Sequence, residues 1–238
     1  MNKKVLFHVI LFILIFSCDN IKDEKQVPFE KLSSEITGIN FSNIITPDIE
    51  TSENLFDYDY FYNGSGVGIA DINNDGLKDV LFTANQENNR LFINKGNLTF
   101  EDITELSNIN TKTKKWSSGV TFADVNNDGW LDIYISQGGP FESNSRKNLL
   151  LINNQDLTFT EKAEKYGLDD TGISTQSAFF DFDKDGDLDC VVMNENEFYG
   201  YDPISFFKKY ENKSILMENS SHLYEQKDGK FINITEKA

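Results

Sequence analysis

The sequence predicts an all-β protein of propeller-type blades, each of four antiparallel strands: three repeats with an acidic loop, plus a partial fourth. Three observations carry this. A nine-residue acidic motif recurs 53 and then 57 residues on. Short apolar runs flank every copy. Ring-bearing residues are abundant, with 20 Phe and nine Tyr in 238 residues, and such residues fit a pleated, half-buried surface.

The motif is Asp71-Ile-Asn73-Asn-Asp75-Gly76-Leu77-Lys-Asp79 in its first copy. It returns as Asp124-Val-Asn126-Asn-Asp128-Gly129-Trp130-Leu-Asp132 and as Asp181-Phe-Asp183-Lys-Asp185-Gly186-Asp187-Leu-Asp189. Residues 66–70, 119–123 and 177–180 precede the loops as small or apolar strands. Residues 80–83, 133–136 and 190–193 follow them as a second strand. Further on, residues 89–100 parallel 148–159, and 222–231 repeat them again. Each reads as an apolar run, a polar turn and a strand ending on Phe. A period of this length with four short strands points to propeller blades. Closure takes about four blades or more, so the propeller is expected to be incomplete. Residues 194–220 interrupt the third unit. They read as a loop around Pro203 and Asn212, with a short helix possible over 204–210.

The loops have the chemistry of a calcium site. Calcium takes six to eight oxygens from a flexible loop. Acids or amides at positions 1, 3 and 5 place alternate side chains on one side of a tightly curled backbone. Gly at position 6 permits the positive φ that the curl needs. Position 7 can offer a carbonyl, from Leu77, Trp130 or Asp187, and position 9 adds a carboxylate. Like charges about 4 Å apart repel by about 4 kcal/mol at an effective dielectric of 20, which a divalent ion reverses. Oxygen-only ligation favours calcium, because zinc takes His or Cys. About three ions are expected. The competing reading is an Asx-rich turn without metal. EF-hands are excluded, since position 12 holds Phe82, Ile135 and Val192 where that pattern needs Glu.

The formal net charge of −17 argues against nucleic acid, which needs clustered Lys and Arg. The first residues form a targeting segment: Lys3 and Lys4, then an apolar run over 5–16. That run is shorter than the about 20 residues a membrane-spanning helix requires, so it reads as a secretory signal. Ile15-Phe16-Ser17-Cys18 resembles the lipobox of bacterial lipoproteins, in which the Cys is acylated; Phe16 is an uncommon occupant. The acidic stretch 19–24 resembles a surface-export signal. The expected organisation is a signal peptide over 1–17, a tether and lead-in over 18–60, and the repeat region over 61–238. The expected location is the outer membrane, facing the surface or the periplasm, with the lipid as the only membrane contact. With Cys18 acylated, Cys190 stands alone as a small core residue.

The loops and flanks resemble FG-GAP repeats of integrin α-subunit propellers and, more closely, VCBS-type repeats of bacterial surface proteins. Residues 61–71 carry the Phe and Gly elements of that family, whereas the second and third copies have Trp116-Ser-Ser-Gly119 and Gln176-Ser-Ala178 there. The whole looks like a truncated member of the Bacteroidetes lipoproteins similar to cartilage acidic protein. The resemblance implies calcium ligands at Asp71, Asn73, Asp75 and Asp79, at Asp124, Asn126, Asp128 and Asp132, and at Asp181, Asp183, Asp185 and Asp189.

The expected function is non-catalytic: a calcium-binding surface module for adhesion or scaffolding, with a protein or glycan ligand. The alternative is the propeller part of a carbohydrate-active enzyme, a polysaccharide lyase or glycosidase. Against it, His8 and His222 are the whole histidine complement and no nucleophile motif appears.

Overall fold

The computed structural model describes residues 29–111, 116–196 and 202–237. Residues Ser34–Ala238 form one compact unit. The expected signal peptide and Cys18 lie outside the described residues. No helix among the described residues is long and apolar enough to cross a membrane.

The described residues hold three sheets of four antiparallel strands, each a simple meander. The first runs β1 (Val67–Ala70), β2 (Asp79–Phe82), β3 (Arg90–Asn94) and β4 (Phe100–Asp102). The second runs β5 (Ser117–Ala123), β6 (Asp132–Gln137), β7 (Leu149–Asn153) and β8 (Phe159–Glu161). The third runs β9 (Ile173–Phe180), β10 (Asp189–Glu195), β11 (His222–Lys227) and β12 (Lys230–Asn233). These are propeller-like blades, and every acidic loop joins the first two strands of its blade. Four short helices precede or follow strands: α1 (Ser34–Thr37), α2 (Thr104–Ser107), α3 (Ala163–Tyr166) and α4 (Pro203–Tyr210). A fifth, α5 (Lys213–Glu218), was not expected from the polar run around Asn212.

The partial fourth unit is a correction. Tyr224 pairs with Cys190 and with Asn233, so the hairpin of residues 222–233 completes the third sheet. No strand of a fourth blade follows among the described residues.

Small residues on the first strands let blades approach closely. A Cβ on Gly68 would lie 2.5 Å from the Phe122 ring, and one on Gly66 would lie 2.6 Å from the Ser118 carbonyl. A Cβ on Gly119 would lie 2.5 Å from the Thr175 carbonyl. Hydroxyls add polar ties between blades. Thr83 Oγ1 donates to the Ser118 carbonyl at 2.5 Å, and Ser118 Oγ donates to the Ser174 carbonyl at 2.5 Å. Between these strands lie two apolar layers. Leu81, Leu91 and Ile93 of the first blade pack with Val120, Ile133, Ile135 and Leu149 of the second. Tyr134, Leu150 and Ile152 of the second pack with Cys190, Val192, Tyr224 and Phe231 of the third.

The lead-in is part of the fold. Tyr58 and Phe61 are buried with Trp116 and Ile173, at the starts of β5 and β9. The Phe61 and Trp116 ring centroids are 5.4 Å apart, and Gly139 N–H donates to the Tyr58 hydroxyl at 3.2 Å. The aromatic cluster thus sits where the inner strands begin, and the acidic loops sit where they end. Phe61→Ala should lower stability by about 3–5 kcal/mol, and Gly119→Ala by about 1–3 kcal/mol through overpacking against backbone. Urea denaturation checks both; an unshifted midpoint for Phe61→Ala would mean the lead-in does not hold the blades together.

Candidate functional site

The first two loops have the same internal geometry. In the first, Asp71 accepts from the amides of Asp75 at 3.1 Å and Gly76 at 2.8 Å. Asn73 Oδ1 also accepts from the Asp75 amide, and Asp75 Oδ1 accepts from the Leu77 amide at 2.8 Å. Asp124, Asn126, Asp128 and the amides of Gly129 and Trp130 repeat each of these bonds. The curl takes positive φ at Asn74 and Gly76, at Asn127 and Gly129, and at Lys184 and Gly186. Glycine is the residue that meets this at position 6 without strain. The two loops touch: Asn74 Nδ2 donates to the Gly129 carbonyl at 3.1 Å.

Position 9 behaves differently from positions 1, 3 and 5. Asp79, Asp132 and Asp189 are buried, each 1% exposed. One oxygen of each accepts from the second loop residue: Ile72, Val125 and Phe182, at 3.0, 3.1 and 3.1 Å. The other accepts from the third strand of the blade: Asn94, Asn153 and Gln226, at 2.8, 2.8 and 2.9 Å. Burial raises the carboxyl pKa of Asp79, and pushes that of Asp132 up to about 6, against the lowering effect of these amides. The nearby charges of Asp75 and Asp71, and of Asp128 and Asp124, act in the same direction as burial.

The third loop draws its acids together. Ligand oxygens of Asp181, Asp183 and Asp189 all lie within 4.8 Å of one another. Among the described residues this is the one group of three or more His, Cys, Asp or Glu so placed. The span suits oxygens sharing one ion at about 2.3–2.6 Å. Asp187 Oδ1 is shielded from solvent and has no hydrogen-bond partner. Desolvation and the neighbouring Asp185, Asp189 and Asp183 raise the Asp187 carboxyl pKa. Desolvation likewise raises that of Asp183, with the charges of Asp185, Asp189 and Glu225 adding to it. A solvent-shielded, unpartnered oxygen on Asp187, whose carboxyl pKa is raised like that of Asp183, is an environment that a hard cation would relieve. The donor set therefore fits calcium chemically, with Asp181, Asp183 and Asp189 the residues that would hold it.

A second polar site was missed in the sequence. Asp170, before β9, is buried and accepts from Tyr224 Oη at 2.7 Å, Gly172 N at 2.8 Å and Asn194 Nδ2 at 3.2 Å. His222 Nδ1 is 2.6 Å from its Oδ2. Of these, Gly172 and His222 border a cavity of about 630 Å³ that Arg146, Thr171, Met217, Glu236 and Lys237 also line. Asp170 and His222 are 52 residues apart, and no local pattern marks them as partners. Cys190 is fully buried and burial pushes its thiol pKa well up, as suits a core residue.

The family model for the FG-GAP-like repeat matches residues 57–135, which hold the first two loops. Those residues thus carry an FG-GAP-like repeat. The third loop lies outside the matched residues, but it repeats the motif and the strand order of the first two. Cartilage acidic protein 1 of Xenopus tropicalis is similar, 30% identical over 135 residues. That similarity covers 56% of this chain and 20% of the relative's own length. The chain thus spans about a fifth of the curated relative it matches.

Asp132→Asn, within the matched repeat, should cost about 1–3 kcal/mol even in chelator. The amide offers one acceptor where the carboxylate served two N–H groups. Asp124→Asn, with its loop exposed, should cost less under the same conditions. Chemical denaturation in EDTA compares them, and equal costs would remove the distinction between strut and rim.

Proposed function

We propose that the chain is a calcium-stabilised repeat module that binds a protein or glycan partner and performs no turnover. The observation that carries the metal reading is the convergence of Asp181, Asp183 and Asp189 beside the orphaned Asp187 oxygen. Asp185, which shapes the same curl through its bond from the Asp187 amide, would tune that site. The first two loops would take ions through Asp71, Asn73, Asp75 and Asp79 and through Asp124, Asn126, Asp128 and Asp132. Leu77 and Trp130 would supply the position-7 carbonyls. Ion binding would screen mutual repulsion of these acids and stiffen the rim of each blade. In this reading a lipid on Cys18 tethers the module to the outer membrane.

The non-catalytic part rests on the only Asp–His pair among the described residues. Its His222 Nε2 lies 3.0 Å from the Met217 carbonyl, not from a Ser, Thr or Cys. An imidazole so engaged has no nucleophile to activate.

Calcium at a hundredfold excess over its Kd stabilises a protein by about 2.7 kcal/mol, which should raise Tm by about 5–10 °C over the EDTA sample. Asp183→Ala should remove much of that rise while leaving the EDTA melting point almost unchanged. Identical melting of the wild type in calcium and in EDTA would defeat the metal reading. Terbium luminescence, sensitised by Trp130, separates one occupied loop from three. A glycan-turnover assay tests the carbohydrate-active alternative, and sustained product release would overturn the binding-module reading.

A further inference from the structure

His222 stands between two hydrogen-bond acceptors. Nδ1 faces Asp170 Oδ2 at 2.6 Å, and Nε2 faces the Met217 carbonyl oxygen at 3.0 Å. A neutral imidazole carries one N–H and can serve only one of them. Asp170 is held as a carboxylate by donors on both oxygens: Gly172 N and Asn194 Nδ2 on Oδ1, and Tyr224 Oη with His222 on Oδ2. Burial by itself would raise the Asp170 pKa, but the His222 hydrogen bond and charge, with Gly172 and Tyr224, hold it below its usual range.

Met217 belongs to α5, in the insertion between β10 and β11. We propose that His222 is a proton-operated latch that fastens α5 to the third blade and so shapes the cavity beside it. In the imidazolium state the ring bridges Asp170 and the Met217 carbonyl. On loss of the Nε2 proton, Nδ1–H stays with the buried carboxylate, and a lone pair then faces the carbonyl oxygen. The Met217 carbonyl keeps its bond from Ser220 Oγ at 2.8 Å, so what is lost is its tie to the sheet. The segment after α5 has its own anchor, since Asn194 donates to the Ser220 carbonyl and to Ser221 Oγ. Release is therefore confined to the helix side of Ser220.

The groups facing His222 come from several elements. Asp170 from the loop before β9 is the anion in direct contact. Asn194 of β10 approaches Nδ1 at 3.4 Å, and Tyr224 of its own strand binds the same carboxylate. Arg146, Lys237 and Glu236 line the cavity with it. The two cations oppose protonation and Glu236 favours it, but Asp170 is in contact, and Coulomb energy falls with distance. Burial acts to lower the His222 pKa, yet the hydrogen bond and charge of Asp170, with the Met217 carbonyl, leave it raised above 6.5. A raised pKa gives stability that is complete below the unfolded value of about 6.5 and is lost as pH climbs through the folded value. The latch opens in the alkaline direction.

The test uses the full chain at one fixed calcium concentration between pH 5.5 and 9. Imidazole resonances report His222, which His222→Gln distinguishes from His8. Amide exchange by mass spectrometry, corrected for intrinsic rates, reports residues 211–220. Exchange there should rise about tenfold or more in step with His222 deprotonation, above pH 6.5, while amides of β6 stay unchanged. His222→Gln should show no step. Titration of His222 at or below 6.5, flat exchange across its titration, or a step that survives His222→Gln would each overturn the latch. If the variant fails to fold, coincidence of the two wild-type readouts still decides.

Discussion

The three blades depend on a single kind of bond: a buried carboxylate that ties an acidic curl to the third strand of its sheet. Asp79, Asp132 and Asp189 each hold an amide from the curl and an amide from the hairpin beyond it. Two charge-assisted bonds to backbone offset the desolvation of an acid. Without them the curl would be a free hairpin loop, and the other acids would have no fixed frame. The less buried side chains at positions 1, 3 and 5 sit on the curl that this strut anchors.

Much of the fold was legible because a repeat multiplies weak signals. The strand β2 alone, Asp79–Phe82, is four residues of ambiguous apolar character. The same step after every Asp-rich loop removes the ambiguity. Strand ends were less legible: β9 begins at Ile173, four residues before the expected start, because pairing of Glu195 with Ile173 continues past a bulge at Met193 and Asn194. The hairpin at 222–233 was assigned correctly by its likeness to earlier hairpins. A further partial unit was also expected, and no strand of one follows β12 among the described residues. Helix α5 was hidden in polar sequence, and the packing role of Tyr58 and Phe61 was hidden because a non-repeating segment offers no second copy to compare.

The acidic loops were legible by composition, but the division of labour inside them was not. Spacing marks position 9 as one more oxygen donor; burial to 1% exposure separates it from the rest. The third loop differs because Asp replaces Asn at position 3 and stands at position 7, and there like charges crowd. The Asp170–His222–Tyr224 network was not legible at all. Its members come from a loop and from one strand, and they meet only when the third sheet closes over the insertion.

The lead-in has a mechanical consequence. Phe41 stacks on Phe82 with ring centroids 4.9 Å apart, Asn43 and Asn85 exchange two hydrogen bonds, and Thr46 does the same with Gln86. Beyond these lies the ring cluster of Tyr58, Phe61 and Trp116. Tension drawn along the chain from its N-terminal side would meet these attachments in series, after the close approach of Gly38 to the backbone of Phe100 on the edge strand β4. The lead-in would thus share a pulling load with the first blade, which contains Phe82 and adjoins Asn85 and Gln86.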